Sequence, residues 1–519
     1  MGLYDGFSAV EKRNLTIYII GIMFYKFALE TLNGCMSSLV LSRIKVNPAV
    51  VWSTFLSINY AMQSIGSLLV SPLIKRWPTS RVLATAIFIF GLVVLAVPVM
   101  DLSTGGVAGT IGKGEKEMKY GDWSPYIIGF IFPMCGIFHG IVELIRRVIP
   151  RDIVGGDALK LRKMDSTVHI LYEVAGTSGA LLSKYWISYF GWALSLTLIP
   201  ISFTLAALVW SRIENEKEKV AAAGYQSKGF IHETIAIFKS FFYSVWVGAK
   251  LVCMNRTLVW LIPAYTIPLV LHRYLENVLA SQYANFAIGK GSYQQLLVAG
   301  SNFGELLGAL FVLLFATAVP SPIPWLRLDA FTLLIAAWTL PLANPWKDNP
   351  DAWVWFLAAT FVPVSFGWAA GDVSLVAFVQ SKLSKIEDEE ASVSPLGSVM
   401  SFLYVLYIII FAIVNPWIAG VQDDFIRPLI KQFGEAKKWK LWTGLALTRE
   451  AMWYTSGLFL TISAGIILLA TFIPKGSFAL NPQVIDDEED DQAIAGQIAH
   501  DKATATEKER REMIKDLAA

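Results

Sequence analysis

A chain needs about 20 mainly apolar residues to cross a bilayer as a helix, and this one has twelve such stretches. They cover 15–39, 49–74, 81–100, 124–145, 166–187 and 193–213, then 258–279, 296–319, 328–342, 352–379, 397–418 and 452–472. The expected fold is all-α and membrane-embedded, with twelve transmembrane helices. Composition agrees. The chain is 16% charged, against about 25% for soluble domains, and its mean hydropathy is +0.52. The 18 Trp and 18 Tyr suit two interfacial belts. A net charge of +2 is too small to argue for a nucleic-acid partner. Cys35, Cys135 and Cys253 lie far apart, so neither a disulfide framework nor a metal cluster is expected. The first apolar run is long, which reads as a retained helix rather than a signal peptide.

The stretches fall into two sets of six. The expected units are a six-helix bundle over 1–213, a linker over 214–257, a second bundle over 258–473 and a polar tail over 474–519. The linker contains ENEKEK and then an amphipathic stretch, 233–251, expected to lie along the interface. The tail carries the acidic run Asp486–Asp491 and a mixed-charge segment from Thr504. Between the second and third spans stands a short basic turn, Lys75, Arg76, Trp77 and Pro78, with Arg81 just beyond. The positive-inside rule puts this turn in the cytoplasm. Both termini and the linker follow it there, as do Lys12, Arg13, Arg146, Arg147, Arg151, Lys160, Arg162 and Lys163. Arg427, Lys431, Lys437, Lys438, Lys440 and Arg449 oppose this assignment, but early helices weigh more than late loops. The sequons at Asn14 and Asn255 would face the cytoplasm and stay unglycosylated.

The halves echo each other. Gln63 precedes Gly66 by three in the second span, as Glu305 precedes Gly308 in the eighth. Gly136 and Gly140 stand four apart in the fourth span, as Gly367 and Gly371 do in the tenth. Glycine at that spacing lets helix backbones approach closely, and internal repeats are expected in secondary transporters.

An ionisable group at bilayer depth costs about 2.5–3.5 kcal/mol on insertion scales, so it persists when paired or when it lines a wet cavity. Four spans place a basic residue four positions before a Glu: Lys26/Glu30, His139/Glu143, His169/Glu173 and His272/Glu276. That spacing puts both groups on one helical face, so each Glu can meet its own partner. Self-neutralisation is one reading. Another is a proton pathway through the centre, since His titrates near neutral pH. A third is transition-metal transport, which His and carboxylate ligands would serve. Glu143 can instead meet Arg146 or Arg147, which suggests a gate. Arg273 stands beside Glu276, and Asp372 follows Gly371. Glu305 has no cation on its own helix face, which makes it a candidate proton carrier.

The helix 2–3 turn resembles a motif of the major facilitator superfamily, Gly-x-Leu-x-Asp-Arg-x-Gly-Arg-Arg. Ser71, Leu73, Arg76 and Arg81 fall in register with it, while Lys75 replaces the Asp, Pro78 the second Gly, and Thr79 and Ser80 the paired Arg. LYEVAGTSG, HRYLEN, GSNFGELLGA and SFGWAAGDVSL resemble the fungal general-substrate-transporter-like group. The resemblance implies two pseudo-symmetric six-helix bundles, a central site and alternating access. It implies a cavity lined by the first, fourth, seventh and tenth helices, hence by Lys26, Glu30, His139, His272 and Asp372. The expected pathway adds Gln63, His169, Glu173, Arg273, Glu276 and Glu305, and the expected gate is Lys75, Arg76, Arg81, Glu143 and Arg147. GTSGALLS in the fifth span is not the Gly-Pro-rich motif of drug/proton antiporters. Sugar-porter and peptide-symporter signatures are also absent, so the substrate class stays open.

The expected function is secondary active transport of a small molecule or ion, coupled to protons, by a monomer in a lipid bilayer and without cofactors. The plasma membrane and an organelle membrane are not distinguished. A non-transporting receptor or scaffold on the same fold is the alternative, beside the metal-ion transporter. No nucleophile elbow, His-Glu-x-x-His or phosphate loop is present, so neither an enzyme nor an ATP-driven pump is expected.

Overall fold

A computed structural model describes residues 6–154, 158–214, 229–315, 318–342, 349–384, 395–433, 449–485 and 496. The chain is helical throughout that range. The first half holds α1 Ala9–Arg43, α2 Pro48–Ile74, α3 Thr79–Ser103, α4 Ile128–Val154, α5 Ala158–Ser195 and α6 Leu198–Trp210. A linker helix, Phe230–Met254, follows. The second half holds α7 Arg256–Ile288, α8 Gln294–Phe315, α9 Ile323–Thr339, α10 Pro350–Ser384, α11 Pro395–Phe433 and α12 Arg449–Ala470. Most of the ENEKEK run, Lys437, Lys438, Lys440, the acidic run and the terminal segment lie outside the described residues.

Among the described residues nine helices are long and apolar enough to cross a membrane, or ten if the bent α5–α6 pair is one span. Contacts at the helix ends sort them further. The face carrying the Lys75–Pro78 turn is called inner below. Lys160, at the start of α5, meets Glu11 near the start of α1, at 2.9 Å. Further along α5, Ser188 meets Ser292 at 3.0 Å, at the opposite face. The chain then breaks at Gly191, whose φ of 73° suits glycine. It returns through α6 until the Glu214 carbonyl accepts from Asn14 at 2.7 Å. The chain thus runs out along α5 and back along α6, with an 87° bend between them.

The linker helix passes the same length and hydropathy test, but its contacts tie it to the inner face. Glu233 near its start meets Arg76 at the inner end of α2, at 3.3 Å. Ser244 in its second half meets Ser398 at the start of α11, at 3.2 Å. α2 and α11 are antiparallel, because Asp423 late in α11 accepts from the backbone of Ala49 and Val50 at the start of α2. The end of α2 and the start of α11 thus share one face, and the linker helix lies across it.

Local sequence explains several ends. Ser8 and Glu11 form a capping box on α1. Pro48 opens α2, where its missing N–H costs nothing. Helices also outrun the apolar stretches that announced them: α4 continues past 145 to Val154, so Arg146, Arg147 and Arg151 are helical. Arg427 and Lys431 likewise belong to α11 rather than to a loop. Polar residues do not end a helix once it has left the apolar layer.

Glycine sets the closest approaches. A Cβ on Gly140 would stand 1.9 Å from the Gln63 carbonyl oxygen, and one on Gly66 1.9 Å from that of Ile137. This binds α2 to α4. Gly300, Gly304 and Gly308 press α8 onto the Ala358, Val362 and Phe366 carbonyls of α10 in the same way. Gly367 and Gly371 face Asp329 and Leu326 of α9, a further close approach of two helices.

Candidate functional site

The two halves meet along α1, α2 and α5 on one side and α7, α8 and α11 on the other, and polar residues line the seam. Halfway along α1, Lys26 pairs with Glu30 at 2.5 Å. The Lys26 amine lies 4.9 Å from the centre of the Tyr172 ring on α5. A Cβ on Gly176 would lie 2.5 Å from Lys26 Cε and 3.0 Å from Asn302 Nδ2 of α8. Glu173 is buried beside them, and its Oε2 has no hydrogen-bond partner. Across the seam, Glu276 pairs with Arg273 at 3.5 Å and accepts a short hydrogen bond from Ser301. Glu305, one turn along α8 from Ser301, lies within electrostatic reach of Glu276, Glu173, Arg273 and Lys26. The structure therefore gathers Lys26, Glu30, Glu173, Arg273, Glu276 and Glu305 into one charged centre.

The histidines stand elsewhere. His139 is 4.0 Å from Glu143, with its ring against Tyr25 and Phe90. Glu143 takes its strong contacts from Arg146 at 2.7 Å and from the Tyr25 hydroxyl at 3.0 Å. Two of the four expected pairs do not form. His169 makes no ion pair with Glu173 among the described residues, and the Glu173 Oε2 stays without a hydrogen-bond partner. His272 does not meet Glu276 but approaches Asp329 of α9, at 3.6 Å, and stacks on Trp368. The π-helical stretch Leu275–Leu279 explains this, since it begins between the two residues and breaks the 3.6-residue spacing that would align His272 with Glu276. Asp329 and Asp372 line one small pocket with Tyr265 and Trp368.

Gln63 bonds Asn59 within α2, at 2.7 Å. Lys75 and Arg81 are exposed at the inner face, and Arg76 holds Glu233 of the linker helix. Arg147 is exposed on α4, within electrostatic reach of Asp372 in the other half.

Hydrogen bonds between the halves concentrate on the outer side. Asn33 donates to Asn277 at 2.8 Å, Ser37 to Gln294 at 2.8 Å and Ser42 to Asn285 at 3.2 Å. Asp423 caps the first turn of α2, at 3.0 and 2.9 Å. Glu115, in the loop after α3, accepts from Trp192 Nε1 at 2.7 Å and from the Ser292 N–H and hydroxyl at 2.9 and 3.0 Å. Sequence reasoning missed these contacts, and it missed Asp329. Asp329 had a signal, a lone carboxylate in the short ninth apolar stretch. The outer contacts had none, because isolated Asn and Ser are ordinary in loops and helices. Arg273 lies midway along α7, yet its side chain is 45% exposed.

Solved structures share this fold. A structure concerned with substrate recognition in proton-dependent oligopeptide transporters matches with a TM-score of 0.56 at 12% identity, over 89% of this chain and 99% of that one. A D-xylose-proton symporter matches at 0.55 and 11%, over 86% and 97%. A bacterial homologue of the human lysosomal transporter Spinster, inward-facing and unoccupied, matches at 0.55 and 12%, over 90% and 98%. The chain has the major facilitator fold. No family model matches the sequence. No curated protein matches it either. At these identities the likeness establishes the fold of an integral, multi-pass membrane protein. In that fold the charged centre falls between the two halves.

Proposed function

We propose that the chain is a secondary active transporter of a small solute, working by alternating access and coupled to protons. One observation carries the reading: a cluster of ionisable side chains sits halfway through the helices, between two halves bonded at the outer side. A scaffold has no use for charges that cost several kcal/mol each to bury. The metal-transport alternative gains nothing here, since no three His, Cys, Asp or Glu among the described residues stand together as a metal site. The fungal group contributes likeness in short segments only, and the solutes named for similar folds belong to those proteins. The test is uptake by proteoliposomes against a solute panel, with and without an imposed pH gradient. Gradient-dependent uptake of at least one solute is expected. A protein that moves none of a broad panel in either direction would overturn the reading.

A further inference from the structure

The charges at the centre do not balance. Lys26 is matched by Glu30 at 2.5 Å, Arg273 by Glu276 at 3.5 Å and Arg146 by Glu143 at 2.7 Å. Two carboxylates are left over, Glu173 on α5 and Glu305 on α8, one from each half. Around Glu173 stand Lys26, Glu30, Tyr172, Arg146 and Glu276. Around Glu305 stand Glu276, Glu173, Arg273 and Lys26. With all of these ionised, the paired charges cancel and the two spare carboxylates leave the centre negative. Both cannot stay ionised in a low-dielectric interior unless something positive joins them.

A second observation points to a ligand. Asn302 is 4% exposed, and its Nδ2 has no hydrogen-bond partner. That nitrogen would lie 3.0 Å from a Cβ on Gly176, which stands one turn from Glu173 along α5, and Asn302 itself stands one turn from Glu305 along α8. The centre therefore offers two carboxylates that want a cation and an amide donor that wants an acceptor. An inorganic ion would need several oxygens around one point, and no such group occurs among the described residues. An ammonium group donates discrete hydrogen bonds and suits carboxylates on separate helices.

We propose that Glu173, Glu305 and Asn302 together bind a small organic amine carrying a hydroxyl or carbonyl acceptor, in exchange for protons held on the two carboxyls. For each ammonium that enters, one carboxyl gives its proton to water, so one positive charge replaces another. The movement of the amine rests on the transporter reading; its binding does not.

The test is thermal unfolding of the purified full-length protein with ethanolamine, ethylamine, ethylene glycol, glycolate or sodium chloride, from pH 5 to 8. Ethanolamine is expected to stabilise the protein, with apparent affinity rising by up to about tenfold per pH unit while a bound proton must leave. E173Q and E305Q are each expected to weaken binding at least tenfold and to flatten the pH slope. N302A should keep the slope and lose the preference for ethanolamine over ethylamine. The inference is overturned if glycol, glycolate or sodium stabilises as well as the amine does, or if binding is flat with pH. It is also overturned if folded Gln variants bind as tightly as the native chain. Should those variants not purify, the ligand series and pH slope of the native protein decide. Amine binding without exchange in proteoliposomes would overturn the transporter reading alone. Transport of a neutral solute without amine binding would overturn this inference alone.

Discussion

Glu305 is the residue on which the site turns, since it sits at the seam with no ion-pair partner among the described residues. Glu305→Gln removes the charge and keeps the volume, so uptake should fall by about tenfold or more, which is ~1.4 kcal/mol or more, with little change in the unfolding temperature. Paired uptake and melting measurements check this, and normal uptake or a protein that does not fold would remove Glu305 from the site. Glu115 allows a different test, outside the spans. Burial pushes its carboxyl above the usual range, while hydrogen bonds from Trp192 and Ser292 pull it back. A carboxyl with a higher pKa in the closed state than in the open one binds its proton more tightly when closed. Falling pH therefore favours the closed outer face, and closure weakens as pH rises from about 4.3, the reference for a free Glu, through the raised value. Labelling of a cysteine at Ser188 should speed up across that window, and Glu115→Gln should flatten the profile. At this scale the sequence was half legible. Lys26 and Glu30 pair as their spacing says, within a regular α-helix. His272 does not, because π turns are invisible in spacing and Asp329 comes from a distant stretch.

Helix packing shows a similar division. The glycines of the second, fourth and eighth spans were legible as sites of close approach, and they form the α2–α4 and α8–α10 contacts. Their partners were only partly legible. Periodicity gives the face of a helix but not its neighbour, so nothing in the spacing of Gly367 and Gly371 names α9 as the helix they face. The two contacts predict different sensitivities. Gly308→Val would drive a branched side chain against the Phe366 carbonyl, where even a Cβ stands at 2.4 Å. Overpacking of that kind costs roughly 1–3 kcal/mol. Gly465→Val, where nothing lies within 4 Å of a Cβ, should cost much less. Melting temperatures of the two variants in detergent check this, and equal losses would mean that α8 and α10 do not depend on their close contact.

For the whole molecule, the twelve apolar stretches made the architecture legible, while the conformation came only with the structure. No run of residues announces that Ser42 will meet Asn285, or that Asp423 will cap a helix in the other half. These contacts join the halves at the outer side, and alternating access requires them to break. Cysteines placed at Ser42 and Asn285 would stand across that seam, where the native side chains are 3.2 Å apart. Cys35 and Cys135 are buried, and the exposed Cys253 can be replaced by Ser to give a quiet background. Joining the engineered pair with a short bifunctional thiol reagent should hold the outer face shut and stop uptake, and reduction should restore it. The control is a link that both ends share with one half: cysteines at Asn14 and Glu214, where the Asn14 amide meets the Glu214 carbonyl at 2.7 Å. Rigid-body motion leaves that distance unchanged, so uptake should survive the link. If uptake also survived the link between Ser42 and Asn285, the halves would not need to separate there, and alternating access through this seam would be wrong.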